Sequence, residues 1–513
     1  MSKAAKRYER ETNAFLSMRH LADQAFSRAA GAPLVTGNSV RLLIDAKENY
    51  PAWLDAIAAA QRYIHFESYI IHEDKIGWTF ADALIAKARE GVHVRVIYDW
   101  LGGFGKTSRR YWNYLRAGGV DVRCYNAPRL DSPLGWLSRD HRKMLTVDGE
   151  VGFVTGLCIG RMWVGEPEKG LDPWRDTGIE VRGPSVANIE HAFARVWDIT
   201  GDELPADEIA KFDPELKAGE VALRVVPSEP ASAVMLRVDQ LVATLARERL
   251  WLTDAYYAGT TLYVQALRAA AKDGVDVRLL VPNASDIPIL RPLSRSGYRP
   301  LLDAGIRIFE WNGTMLHAKT AVADGTWARV GSTNLNLASW YGNLELDVVV
   351  EDVQFAKQLE ETYLRDLENS TEIVLDARRK VRAPKPPVKQ HPATTSGGGA
   401  GGRAAAGAIR ISNAVSAAFT NRRVLEPVEG RLMVMVGLLL LSLAVIGWFF
   451  PRGLSYPLVF FLAWGALALI YRGYRLWTEQ FPRESVDQET PVREEPEKKP
   501  VPAPVSKQRV KQP

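Results

Sequence analysis

A long-period internal repeat constrains this chain more than any other feature. Glu90-Gly91-Val92-His93-Val94-Arg95-Val96-Ile97 is echoed by Asp273-Gly274-Val275-Asp276-Val277-Arg278-Leu279-Leu280. Each reads as a buried strand, preceded by a helical stretch (80–89 and 262–272) and followed by a second helix leading into a Gly-led strand at 117–123 and 303–308. Strands alternating with helices of about 10 to 15 residues build α/β units on largely parallel sheet. Two such units predict a pseudo-two-fold body with halves at 37–210 and 211–375.

Composition supports a folded body: 513 residues, 47% apolar and 24% charged, are enough for large cores. A net charge of +5 does not choose between an anionic membrane, nucleic acid and neither. Two cysteines, Cys124 and Cys158, exclude a disulfide framework and a thiolate metal cluster and fit a reducing compartment. The basic N-terminus has no apolar core behind it, so it does not read as a secretory signal. Within the segment 1–36, Phe15, Met18, Leu21, Ala22, Ala25 and Phe26 recur at helical spacing, predicting an amphipathic helix over 9–29 that docks on the body.

Beyond the second half the pattern changes. Residues 376–425 are rich in Pro, Gly and basic side chains and read as a flexible tether. Residues 432–450 and 453–471 follow, 19 uncharged residues each, joined by Pro451-Arg452. At ~1.5 Å per residue each covers ~28 Å, close to the ~30 Å hydrocarbon thickness, which predicts a transmembrane hairpin. Arg422, Arg423 and Arg431 before the pair and Arg472 and Arg475 after it, against Arg452 between, place both ends and the body on the cytoplasmic side. Trp448, Tyr471, Tyr474 and Trp477 suit interfacial anchoring, and the mixed-charge tail 480–513 reads as disordered.

The chemistry sits in a second repeat. His141-Arg142-Lys143 with Asp148, and His317-Ala318-Lys319 with Asp324, share the spacing H-x-K-x-x-x-x-D. Apolar and β-branched residues after each lysine indicate a strand, where positions i and i+2 share a face, so each His and Lys point into one site. Gly149 and Gly325 follow the aspartates directly, so Asp148 and Asp324 read as strand turns with a structural job. Two imidazoles and two ammoniums meet the needs of a phosphodiester transfer without metal. One neutral imidazole attacks phosphorus, the protonated one serves the leaving oxygen, and the lysines stabilise the non-bridging oxygens. No cofactor is expected. His20, His65, His72, His93, His191 and His391 lack such a repeat and read as ordinary packed or surface residues.

The paired motifs resemble the phospholipase D superfamily over about residues 20–375, and their context is similar to bacterial cardiolipin synthases. That resemblance implies two pseudo-symmetric phospholipase D-like α/β halves with mixed sheets flanked by helices, followed by the hairpin. Gly331-Ser332-Thr333-Asn334 resembles the family's G-S-x-N, implying phosphate contacts from Ser332 and Asn334. Trp174-Arg175-Asp176-Thr177 and Asn343-Leu344-Glu345 resemble segments whose carboxylates orient the histidines, implying that Asp176 holds His141 and Glu345 holds His317. The first half departs from the pattern, with Gly156 at the serine position and Cys158 at the asparagine position. Family precedent makes His141 the nucleophile and His317 the general acid.

The implied reaction is transfer of a phosphatidyl group from phosphatidylglycerol to a second phosphatidylglycerol through a phosphohistidine, with glycerol released. Water as acceptor would give phosphatidate instead. A nuclease would want a basic groove with interleaved aromatics, but the most basic run, 378–382, lies in the tether and suits anionic lipid heads. Membrane phospholipids and the bilayer are thus the expected partners, nucleic acid is not, and the expected place is the bacterial inner membrane, multi-pass. The apolar stretch Leu134-Gly135-Trp136-Leu137 adds a little to the lipid reading.

Overall fold

The computed structural model describes residues 21–128, 138–286, 294–375, 381–382, six positions between 438 and 449, and 451–479. The first half contributes strands β1 Val35–Ile44, β2 Tyr63–Ser68, β3 His93–Asp99, β4 Asp121–Tyr125, β5 Arg139–Asp140, β6 Lys143–Val147, β7 Val151–Thr155 and β8 Thr177–Arg182. The second contributes β9 Val221–Ser228, β10 Arg249–Thr253, β11 Asp276–Pro282, β12 Arg307–Trp311, β13 Thr320–Ala323, β14 Trp327–Gly331, β15 Asn343–Glu351 and β16 Ser370–Leu375.

The expected α/β repeat is present, and the sheets are mixed. In the first half the order is β4, β3, β2, β6, β7, β8, β1; in the second it is β16, β12, β11, β10, β13, β14, β15, β9. Within each of these sheets the described parallel pairs are β2–β3–β4 and β10–β11–β12, where helices such as Lys75–Arg89 and Thr261–Lys272 make the crossovers. The remaining neighbours within each sheet are antiparallel, with short turns joining β6 to β7 and β13 to β14, so each sheet is mixed, as the resemblance implies. Asp74 and Thr260 start the two crossover helices by accepting the backbone N–H groups of Ile76, Gly77 and Tyr263.

The halves are not separate bodies. Strand β1 pairs with β8 through Ser39–Ile44 and with β9 at Val35 and Asn38, linking the sheets edge to edge. One core cluster holds Val154, Ile179 and Val181 of the first sheet with Val330, Leu346 and Val348 of the second. The helices Val186–Ile199 and Val353–Glu368 add Phe193, Trp197, Phe355 and Leu359 to the same cluster. At about 1.5–3 kcal/mol for each fully buried large apolar side chain, that shared layer favours the joined arrangement strongly.

Both motif aspartates sit in the turns that their glycines announced. Asp148 (φ 57°) with Gly149 (φ 71°), and Asp324 (φ 50°) with Gly325 (φ 64°), take the left-handed conformation on which these tight hairpin turns are built. Their carboxylates tie each turn to the start of a neighbouring strand. Asp148 accepts from the backbone N–H groups of Gln61, Arg62 and Tyr63 at 2.7, 2.8 and 2.8 Å. Asp324 accepts from those of Arg247, Glu248 and Arg249, each at 2.9 Å.

Of the N-terminal helix expected over 9–29, residues 21–30 are described and helical, with Phe26 against the second-half core. Among the described residues no helix is long and apolar enough to cross a membrane. A helix Pro451–Glu479 covers the second apolar stretch and exposes Leu458, Val459, Phe460, Phe461 and Leu462. Residues 1–20, the stretch 134–137, most of 432–450, the tail and the tether apart from Val381 and Arg382 lie outside the described residues.

Asp324→Ala removes the acceptor for three N–H groups and should cost on the order of 2–3 kcal/mol of stability, with Asp324→Asn costing less. Urea unfolding of the purified protein checks this. An unchanged midpoint for Asp324→Ala would contradict the turn assignment.

Candidate active site

The two histidines meet where the halves meet. Residues 139–140 pair in parallel with 343–344, which lets His141 N donate to Leu344 O at 2.9 Å. Its counterpart is the bridge between Arg175 and Leu316, beside which His317 N donates to Arg175 O at 2.7 Å. Each motif thus enters its strand alongside a segment of the opposite half.

That register decides which carboxylate reaches which imidazole. His141 Nδ1 lies 2.8 Å from Glu345 Oε2, and His317 Nδ1 lies 2.7 Å from Asp176 Oδ2. The expected pairing of Asp176 with His141 and of Glu345 with His317 is therefore corrected: both pairs cross the interface between halves. Nothing in the linear spacing distinguishes the two pairings, because each half carries one motif and one acidic segment.

The carboxylates are fully buried and fully bonded. Glu345 also accepts from Ser332 Oγ at 2.6 Å and Asn343 Nδ2 at 3.1 Å. Asp176 also accepts from Trp163 Nε1 at 3.0 Å and Thr177 N at 2.9 Å. This explains the departure at Gly156. A Cβ there would lie 2.1 Å from Asp176 Oδ1, and the indole of Trp163 gives the bond that a serine hydroxyl gives in the other half. Ser332 is likewise reassigned from phosphate contact to carboxylate support, since its proton goes to Glu345 and its oxygen accepts Leu346 N at 2.9 Å. Asn334 is buried, and its amide oxygen has no partner among the described residues. Asp148 and Asp324, grouped with the catalytic residues by their place in the motif, serve the turns described above.

The lysines are buried beside the histidines. Lys143 Nζ donates to the His141 carbonyl, and Lys319 Nζ donates to the His317 carbonyl and lies 3.2 Å from His317 Nε2. Burial lowers the pKa of both histidines, and Lys143 and Lys319 each depress both rings, so the four groups lie within electrostatic reach of one another around a shared site, the chamber. Against the desolvation that would raise them, their histidine partners, the neighbouring lysine ammoniums and their other hydrogen-bond donors hold Asp176 and Glu345 below the usual carboxylate range. The resting state is an ionised carboxylate bonded to a neutral imidazole on each side. That bond keeps the proton on Nδ1 and leaves the Nε2 lone pair toward the chamber.

Residues that motif reading missed complete the walls. Tyr69 lies edge-on to His141, 5.0 Å between ring centroids, and Tyr256 lies likewise by His317 at 5.7 Å. Aligning Glu67-Ser68-Tyr69 with Asp254-Ala255-Tyr256 at the ends of β2 and β10 would have found them. Trp163 and Trp174 pack on His317, each 5.6 Å away. Burial pushes the Cys158 thiol up, so it stays protonated and is no rival nucleophile. His65 is stacked between Tyr63 and Phe193, and His93 bonds Glu208, both outside the chamber.

Comparison with known proteins agrees with this geometry. A family model described as cardiolipin synthase, PLD-like domain, matches residues 53–197 and 242–367. The chain is 32% identical over 345 residues to a cardiolipin synthase of Alkalihalophilus pseudofirmus, covering 66% of this chain and 68% of that one. It is 34% identical over 369 residues to cardiolipin synthase A of Pseudomonas aeruginosa, covering 70% and 73%. Its fold is similar to that of a phosphatidylserine synthase of Haemophilus influenzae, with a TM-score of 0.53 at 14% identity, covering 68% of this chain and 91% of the other.

Burial lowers the Lys319 ammonium to about 8, with Lys143 adding to the effect and Asp176 opposing it. A lysine with a lowered pKa carries its charge below that value and loses it above, so phosphate stabilisation should fade as pH rises. The expected kcat/KM declines through about pH 8, and Lys319→Arg, at reduced activity, should lose that alkaline limb. A profile flat to about pH 10 in the unaltered protein would contradict it.

Proposed function

The chain belongs to the cardiolipin synthase family of PLD-like domains, and from that premise we propose how its residues divide the work of phosphatidyl transfer. It is a phosphatidyltransferase that moves a phosphatidyl group from one phosphatidylglycerol to another and releases glycerol. The reading of its residues rests above all on the crossed chamber, with two imidazoles fixed through Nδ1 and two buried ammoniums beside them.

His141 Nε2 attacks phosphorus. The bond from phosphorus to the glycerol headgroup oxygen breaks, and that oxygen takes its proton from His317. The incoming phosphodiester adds a negative charge beside His317 and raises its pKa, so protonation accompanies binding. Lys143 and Lys319, with Asn334, hold the non-bridging oxygens. In the second step neutral His317 takes the proton of the terminal hydroxyl of a second phosphatidylglycerol. That oxygen attacks phosphorus, the phosphorus–nitrogen bond breaks and His141 is restored. An asymmetry supports this order: Lys319 Nζ lies against the His317 ring, 2.9 Å from Nδ1 and 3.2 Å from Nε2, while His141 Nε2 has no such neighbour bonded to it among the described residues.

Attachment to the bacterial inner membrane by a hairpin over 432–450 and 453–471, with the catalytic body cytoplasmic, belongs to the same proposal. It is supported by the apolar side chains exposed along Pro451–Glu479.

Purified full-length protein given labelled phosphatidylglycerol in mixed micelles should form cardiolipin and glycerol, and His141→Ala or His317→Ala should each remove at least ~10³-fold of the rate. Mass-resolved products decide. Phosphatidate as the main product would make the acceptor water, and no phospholipid turnover would refute lipid transfer.

A further inference from the structure

The turn after β3 presents an apolar tip in a rigid frame beside the chamber. Asp99 starts it: Oδ1 accepts Leu101 N at 2.8 Å, Gly102 N at 2.9 Å and Arg139 Nη1 at 3.1 Å, while Oδ2 accepts Asp140 N at 3.0 Å. The residue before His141 is therefore bonded to the residue before Trp100. Gly102 lies flat on the backbone of Tyr69, where a Cβ would come within 1.9 Å of the Tyr69 carbonyl oxygen. The Tyr69 ring in turn faces His141 and lies 5.3 Å from Lys143 Nζ.

The far end is tied down as well. Lys106 N donates to Gly103 O at 3.0 Å, Glu73 N to Lys106 O at 3.1 Å, Ser108 N to Glu73 Oε2 at 2.8 Å, and Thr107 Oγ1 to Ile71 O. Between these ties Phe104 is 58% exposed, its ring 5.3 Å from that of half-buried Trp100. Arg109 and Arg110 follow it, both exposed, and Lys106 is half-buried.

A bonded frame that holds phenylalanine in water favours an apolar medium to receive it. Aromatic side chains with basic neighbours match the boundary between anionic headgroups and acyl chains. We infer that residues 100–110 form a docking finger that dips Trp100 and Phe104 into an anionic lipid surface and seats the mouth of the chamber at headgroup depth. The inference rests on the phospholipid-substrate reading. It adds a contact distinct from the hairpin: the hairpin keeps the chain at the membrane, and the finger orients the site.

The test uses full-length protein reconstituted in phosphatidylglycerol-containing vesicles. Phe104→Cys in a Cys124→Ser background carries an environment-sensitive fluorophore, and part of the lipid has brominated acyl chains. Blue-shifted, bromine-quenched emission is expected. Emission typical of water, without quenching, would overturn the inference and leave the finger to some other partner such as a protein. Because this readout needs no turnover, it stands apart from whether phosphatidylglycerol is the substrate. With turnover as the readout, Phe104→Ser should lower the rate on long-chain vesicular phosphatidylglycerol about tenfold, change that on monomeric dihexanoyl phosphatidylglycerol less than about twofold, and be restored by Phe104→Leu. A parallel fall on both substrates, or no fall on vesicles, would overturn it.

Discussion

Each motif imidazole is held by the half of the molecule that did not supply it. His141 leans on Leu344 O and Glu345, and His317 leans on Arg175 O and Asp176. Four buried ionisable groups would be costly in an apolar interior if they stood alone, and the crossed bonds are what makes their burial tolerable. The rest of the architecture serves this crossing. The shared core holds the sheets in register, and β1 bridges their edges. Arg142, between His141 and Lys143, donates to Glu345 O at 3.1 Å and to Ala192 O at 2.7 Å, fastening the first motif to both halves. Neither half alone contains the carboxylate that its own motif imidazole bonds.

The near symmetry breaks where chemistry needs two different histidines. Glu345 takes a serine hydroxyl, whereas Asp176 takes an indole N–H that Gly156 leaves room for. A tyrosine lies against each histidine, Tyr69 by His141 and Tyr256 by His317, and two tryptophans also pack on His317. Both lysines reach the carbonyl of their own histidine, and Lys319 also lies 2.9 Å from Nδ1 and 3.2 Å from Nε2 of its ring. In the proposed mechanism these differences set the nucleophile His141 apart from the general acid His317.

Much of this was legible in the sequence because it is local. Val-rich strands, crossover helices, Asp-Gly turns and the same-face placement of His and Lys follow from spacing and residue type over a few positions. The repeat turned those local signals into two halves. Periodicity reports burial and not strand direction, so the mixed sheet followed from the resemblance and not from the spacing. The crossed carboxylates were not legible at all: the pairing depends on residues 139–140 lying beside 343–344 and Arg175 beside Leu316, contacts more than a hundred residues apart. Ser332 was misplaced for the same reason, as its role follows from where Glu345 arrives.

The central claim is the crossing, and imidazole nitrogen NMR on Asp176→Asn reads it directly. With histidine resonances assigned, the substitution should shift the Nδ1 and Nε2 signals and the tautomer balance of His317 and leave those of His141 in place. A shift confined to His141 would mean that each half keeps its own carboxylate, and the crossed arrangement would fall.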